Sequence, residues 1–152
     1  MEIWIYLGRL VLSIILGGLI GYERETEHKP AGLRTLTLVS LGSCLFMIIS
    51  IRTAQGLENV DPTRIAAQVV TGIGFLGAGA ILHARGAVYG LTTAVSIWVV
   101  AAIGLAAGAG LYIEAVVVTL LGFIILRSAE KFLYKKGKKQ NESMLDSDED
   151  EK

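Results

Sequence analysis

Apolar residues fall in long runs along the chain, and charged residues collect in the short segments between the runs. The charges concentrate near residues 23–34, at a few positions between 52 and 85, and beyond residue 127. Each apolar run has about 17–25 residues, the length of helix that crosses the hydrocarbon core of a bilayer. The pattern predicts spans over residues 3–22, 34–51, 65–82, 91–108 and 111–130. The last run is the weakest, because Glu114 and Arg127 interrupt it.

The composition supports this interpretation: 53% of the residues are hydrophobic, and 18 of the 152 are glycine. We therefore expect an all-α integral membrane protein, a compact bundle of about five transmembrane helices formed by residues 1–134. Residues 135–152 hold a lysine cluster followed by an acidic run. Such like-charge blocks bury little and usually stay disordered, which predicts a charged cytoplasmic tail.

The loop charges predict how the chain lies in the membrane. Basic residues concentrate in the segment after the first run, in the third loop and after the fifth run. Because basic loops stay on the cytoplasmic side, we expect a multi-pass protein of the bacterial inner membrane with its N-terminus outside and its C-terminus inside.

A short internal similarity accompanies this pattern. The stretches Gly32-Leu33-Arg34-Thr35 and Gly90-Leu91-Thr92-Thr93 each open an apolar run from the cytoplasmic side. The two stretches begin 58 residues apart, and Gly21 and Gly79 are separated by the same distance along the chain. Runs 1–2 and 3–4 are therefore interpreted as two parallel hairpin repeats, as in some transporter halves, followed by a fifth helix. Small-residue bias alone is the alternative explanation.

The glycines of residues 71–80, TGIGFLGAGA, match the G-x-G-x-x-G spacing of a dinucleotide-binding turn. That motif requires a strand before it, a helix after it and an acid about 20 residues on. No acid occurs between Asp61 and Glu114, so the match is a coincidence. Glycines also let membrane helices pack closely, and this role is assigned to six positions: Gly17, Gly21, Gly72, Gly74, Gly77 and Gly79. The third run would then lie in the middle of the bundle. Unwinding of that helix around an ion is the alternative.

Polar residues mark the same run. Arg64, Gln68 and Thr71 recur on one helical face, as either interhelical hydrogen-bonding groups or the lining of a solute path. Asp61 before Pro62 is typical of a helix N-cap, and the same carboxylate could instead meet a cation. Glu58 lies nearby, so Asp61 and Glu58 form a weak candidate metal site of hard oxygen ligands.

The cytoplasmic segment after the first run, YERETEHKPAGLRT, is densely charged. A solvated, partly self-paired loop is the default interpretation. Glu23 and Arg24 stand where the first helix leaves the hydrocarbon, so pairing there would be stronger. The chain has one cysteine, and its two histidines lack metal-pair spacing. No nucleophile–base set is found, which predicts no enzyme activity and no cofactor. Nucleic acid is not an expected partner.

Four segments resemble the MgtC/SapB family of bacterial inner-membrane proteins: residues 17–25, 31–35, 61–82 and 90–110. The combination of ER, AGLRT and GIGFLGAG carries the resemblance. It implies a membrane domain of about five helices and a link to magnesium limitation, acid stress or survival in host cells. It also implies family-like roles for a set of positions: Glu23, Arg24, Arg34, Thr35, Asp61, Arg64 and Thr93. Longer family members carry a C-terminal soluble domain, for which this chain shows no counterpart.

Two functional hypotheses remain. In the first, the chain is a regulatory membrane subunit that packs against a larger complex, with the F-type ATP synthase as the candidate implied by the resemblance. In the second, a homo-oligomer forms a channel or transporter for magnesium or potassium. The lipid bilayer is the shared partner of both.

Overall fold

The computed structural model describes residues 2–57, 60–84 and 87–128. Helices occupy most of these residues: α1 (Glu2–Thr26), α2 (Leu33–Ala54), α3 (Arg64–Gly79), α4 (Leu91–Ala109) and α5 (112–128). The helical expectation is confirmed, and α1, α2 and α4 are long and apolar enough to cross a membrane. Five membrane crossings stay a prediction. Glu58 and the tail over residues 135–152 lie outside the described residues.

The contacts between helices establish an alternating topology. Gly17 of α1 faces Ser40 of α2, and Gly21 faces Leu33, so these two helices run antiparallel. Arg9 near the start of α1 bonds to Tyr112 at the start of α5, and Ile20 later in α1 faces Gly122 later in α5. Helices α1 and α5 therefore run parallel. We call the end of the bundle where α1 begins the N-terminal end, and the opposite end the hairpin end.

The closest packing in the bundle joins α2 to α4. A Cβ atom added to Gly104 would overlap the Ser40 carbonyl oxygen and lie 2.9 Å from the Ser43 Cβ. One added to Gly108 would lie 2.8 Å from the Met47 Cβ. Backbone therefore meets backbone, the arrangement that small residues permit between membrane helices.

Gly17 and Gly21 allow the same approach between α1 and α2. A Cβ on Gly17 would overlap Ser40, and one on Gly21 would lie 2.8 Å from the Leu33 Cα. Around these contacts, buried apolar side chains from all five helices form the core, among them Leu16, Ile20, Leu36, Ile73, Val100, Ile103 and Ala115. Helix α4 contacts α1, α2 and α3, and its buried residues extend from Thr93 to Gly108.

The position of α3 corrects the expectation that it runs through the middle of the bundle. A Cβ on Gly72, Gly74 or Gly79 would meet no atom within 4 Å, and one on Gly77 would make only an ordinary contact with Ala94. The helix lies at the periphery because the small residues of α4 face α2 instead. Gly72, Gly74 and Gly79 of α3 are consequently left uncovered by the other described residues.

The third run also ends earlier than the predicted residue 82, because α3 stops at Gly79 and a short antiparallel hairpin follows. Strand β1 (Leu82–Ala84) pairs with β2 (Ala87–Tyr89), with Leu82 opposite Tyr89. Gly90 closes the connection at φ +85°, where an added Cβ would overlap the Ala80 carbonyl. The similar stretch at Gly32 has φ −83° and joins its helices by a turn, so the two hairpins are connected differently and the repeat stays a prediction.

Replacing Gly104 by alanine is expected to destabilise the fold by about 1–3 kcal/mol, because the new methyl group must push α2 away from α4. Gly8→Ala is the matched control: Gly8 lies inside α1 with no atom within 4 Å of an added Cβ. There the higher helix propensity of alanine should leave stability unchanged or slightly raised. The thermal midpoint in detergent, followed by a thiol-reactive dye on the buried Cys44, measures both variants. Equal midpoints for the two would contradict the assigned packing.

Candidate functional site

Two groups of polar residues lie at opposite ends of the bundle. Glu23 and Arg24 belong to the last turns of α1 at the hairpin end. Asp61 and Arg64 lie at the start of α3 at the N-terminal end. The positions implied by the family resemblance therefore do not form one site.

At the hairpin end, Glu23 and Arg24 are buried to 4% and 3% exposure, and Arg24 Nη1 lies 3.7 Å from Glu23 Oε2. Within the described part of the chain, Arg24 Nε has no hydrogen-bond partner. Removing two charges from water costs several kcal/mol per ion, which such a pair repays only in part. The two side chains are thus buried, whereas the default interpretation of the sequence was a solvated loop of charges.

The turn after this pair is fixed by hydrogen bonds to the end of α1. The Lys29 N–H donates to the Arg24 carbonyl at 3.0 Å. The Leu33 N–H, at the start of α2, donates to Glu25 Oε2 at 2.8 Å. A carboxylate at a helix N-terminus satisfies a free N–H and opposes the positive end of the helix dipole. Sequence reasoning missed this role of Glu25, although an acid eight residues before a helix start after a glycine turn is a usable signal.

The remaining family-like positions of this end differ in exposure. Arg34 and Thr35 are exposed in the first turn of α2, whereas Thr93 is buried in the first turn of α4. Exposure leaves Arg34 and Thr35 available to a partner or to solvent. Burial gives Thr93 a place in the packing of α4.

At the N-terminal end, the segment before α3 is tied to α2 by Ser50. Its hydroxyl donates to the Pro62 carbonyl at 2.6 Å and accepts from the Ile65 N–H at 3.3 Å. Asp61 Oδ1 accepts hydrogen bonds from the Thr63 N–H and hydroxyl, at 2.8 and 2.7 Å. Thr63 is the N-cap residue, so the expectation that Asp61 holds that place is wrong by two residues.

The hydrogen bonds from Thr63 hold the pKa of Asp61 below its ordinary value, and the nearby Arg64 acts in the same direction. The carboxylate is exposed and ionised at neutral pH. No group of three metal-ligating side chains occurs among the described residues. The suggested metal site of Asp61 and Glu58 stays a prediction, because Glu58 falls outside them.

The polar stripe of α3 faces outward. Arg64, Gln68 and Thr71 are all exposed, and the Thr71 hydroxyl donates to the Ala67 carbonyl within the helix. Gln68 borders an apolar groove between α2 and α3, lined by Phe46, Ile65, Val69, Gly72 and Ile73. A second groove, between α3 and α4, runs along Gly74, Gly77, Ala78, Ala94 and Trp98. The outer side of α3 therefore combines small residues, two amide or hydroxyl groups and a groove on each flank.

Comparison with known proteins assigns the chain to a family. The model of the MgtC family matches residues 10–134, so the chain belongs to the MgtC family. No solved structure matches it with statistical significance. Family membership and the apolar helices support a location in the inner membrane.

Three relatives illustrate the similarity. An uncharacterized protein of Haemophilus influenzae is 45% identical over 130 residues, 81% of this chain and 55% of that protein. A protein of Escherichia coli K12 named "Putative magnesium transporter YhiD" is 52% identical over 121 residues, 74% of this chain and 56% of its own length. Protein MgtC of Brucella abortus is 48% identical over 117 residues, which cover 77% of this chain and 47% of that protein. The chain spans about half the length of the curated relatives it matches.

Replacing Arg24 by methionine is expected to destabilise the protein by about 3–5 kcal/mol, because it removes one member of a buried ion pair. Arg34→Met removes an exposed arginine of the next helix and should leave the thermal midpoint unchanged. The double variant Glu23→Gln/Arg24→Met should regain part of the loss. An Arg24→Met midpoint equal to that of Arg34→Met would show that the buried pair contributes nothing.

Proposed function

We propose that this member of the MgtC family is a regulatory subunit of the inner membrane that acts by packing against helices of a larger membrane complex. Its role would lie in adaptation to low magnesium, acid stress or life within a host. The observation that carries the proposal is a set of small residues on α3 that no other described residue covers: Gly72, Gly74 and Gly79. Gly72 and Gly79 share one side of the helix, and Gly74 borders the groove toward α4.

Small-residue faces of membrane helices ordinarily meet another helix, because close backbone approach supplies the dispersion energy that lipid cannot. On α1 and α4, such faces are covered from within the chain by α2. On α3 the corresponding positions are open. Phe75, on the same side of the helix as Gly72 and Gly79, is 82% exposed. A helix of another subunit would gain the same backbone contact there.

The packing of the interior favours a regulator over a pore in one chain. In the described core, apolar side chains of all five helices pack together. Gln68 and Thr71, the polar residues of α3, lie on its outer side instead of facing that core. A subunit that acts by contact requires no internal polar path.

The F-type ATP synthase is the candidate complex, and this choice of partner is based on the family resemblance alone. Its membrane sector is built of helices, which suits a helix-packing surface. Because the chain covers only about half of its curated relatives, any activity that resides in their remaining length stays outside this proposal.

The surface is tested by Gly74→Leu, which places a bulky side chain at one of these uncovered positions of α3, where an added Cβ meets no atom within 4 Å. The variant should insert normally and lose co-purification with the ATP synthase membrane sector from magnesium-limited cells. Gly8→Leu is the matched control, since Gly8 is also helical with open space around it. Retention of the complex by Gly74→Leu, or failure of the unmodified chain to capture it, would remove this proposal.

A cation path formed by a homo-oligomer is the second candidate. The name of the Escherichia coli relative supports it, as does the outward polar stripe of α3, which only an assembly of several chains would enclose. In this arrangement Gln68 and Thr71 would line the path, and the ionised Asp61 would lie near its mouth.

If the second candidate holds, purified protein in liposomes should admit magnesium or potassium, and Gln68→Leu should reduce the flux at least several-fold. Asp61→Asn should weaken it less, by removing the negative charge at the mouth. Gly8→Leu serves again as the variant that alters only the lipid-facing side of α1. Absence of flux from folded, correctly inserted protein would eliminate the cation path and leave the regulator.

A further inference from the structure

Two arginines share one aromatic ring at the N-terminal end. The guanidinium carbon of Arg9 lies 5.6 Å from the Tyr6 ring centroid, and that of Arg52 lies 5.3 Å from the same centroid. The quadrupole of the ring attracts both cations without neutralising their positive charge. This arrangement favours an anion beside them.

Arg9 is fixed in place by three helices. Its Nη1 donates to the Gly108 carbonyl at 2.6 Å, and its Nε donates to the Tyr112 hydroxyl at 3.2 Å. The carbonyl belongs to the last turn of α4, whose dipole favours a cation. Arg9 therefore links α1, α4 and the start of α5, and its position does not depend on a ligand.

Arg52 is different. It is exposed in the last turn of α2, and among the described residues its side chain contacts the Tyr6 ring. A guanidinium carries five N–H donors in a planar fork that matches a phosphate or carboxylate. No ion pair joins either arginine to an acid of the described residues.

The level of this cluster in the membrane indicates the source of the anion. Arg9 and Arg52 lie where α4 and α2 end, so they stand at the boundary of the spanning segments. Trp4, Tyr6 and Tyr112 lie at the same end, as amphipathic rings do at the headgroup level. Lipid phosphates occupy that level on either side of a bilayer, so the argument is independent of the orientation of the chain.

We propose that Arg9, Arg52 and Tyr6 form a binding site for a phosphate group, supplied by the headgroup of an anionic phospholipid. Arg52 donates hydrogen bonds to the phosphate oxygens. Arg9 adds positive charge from its fixed position, and Tyr6 keeps the two guanidinium groups together. The site lies apart from the uncovered glycines of α3 and does not rest on the function proposed above.

The test is a titration of the purified full chain in neutral detergent with phosphatidylglycerol, phosphatidylcholine or inorganic phosphate. The thermal midpoint, followed through Cys44, reports binding because a ligand of the folded state raises it. Phosphatidylglycerol should raise the midpoint saturably, and phosphatidylcholine should not. Arg52→Gln should weaken the apparent affinity about tenfold, the effect of one lost charge-assisted hydrogen bond.

Arg127→Gln is the matched control, because Arg127 is also exposed and lies over an aromatic ring, 5.9 Å from the Phe123 centroid, on another helix. It should bind phosphatidylglycerol as the unmodified chain does. If Arg52→Gln lowers the starting midpoint, Arg52→Lys keeps the charge and should retain binding. Equal responses to the two lipids, or unchanged affinity in Arg52→Gln, would overturn the site. A full response to inorganic phosphate alone would keep the phosphate site and overturn its lipid source.

Discussion

The approach of α4 to α2 is the contact on which the rest of the bundle depends. In lipid, apolar side chains gain little from leaving one apolar environment for another, so helices associate through dispersion contacts at short range. Gly104 and Gly108 let the backbone of α4 reach the carbonyls of Ser40 and Cys44. With Gly17 packed on Ser40 from the other helix, α2 is held between α1 and α4.

Because α2 packs closely against both α1 and α4, helix α3 lies at the periphery of the bundle. Once the small residues of α4 face α2, the side of α4 available to α3 offers Ala94, Val95 and Trp98, and the contact there is ordinary. The connection adds to this, because Gly90 and the β1–β2 hairpin lead the chain back tightly from the end of α3. Ser50 anchors the other end of α3 to α2 through Pro62. The helix is thus tied at both ends. Ile73 on its inner side packs into the core, while its outer side stays uncovered.

The sequence allowed the helices to be predicted well, because apolar runs of membrane length have few other interpretations. It did not allow their partners to be predicted. The glycines of α3 and α4 are chemically the same, and which set is covered depends on the tertiary arrangement. Asp61 was misplaced as an N-cap because Ser50, distant in sequence, moves the helix start to Arg64. Arg9 interrupts the first apolar run, and a charge inside such a run could have signalled a partner.

Two groups of charged side chains lie at opposite ends of the bundle, and their charge balance differs. At the hairpin end, Glu23 and Arg24 are buried together, so their charges are largely balanced before any partner arrives. At the N-terminal end, Arg9 and Arg52 are positive without a described acid paired to either. In the lipid site that we propose, anionic headgroups supply the opposite charge. The bilayer then completes the charge balance that the described residues leave open, while the outer side of α3 stays available for a protein partner.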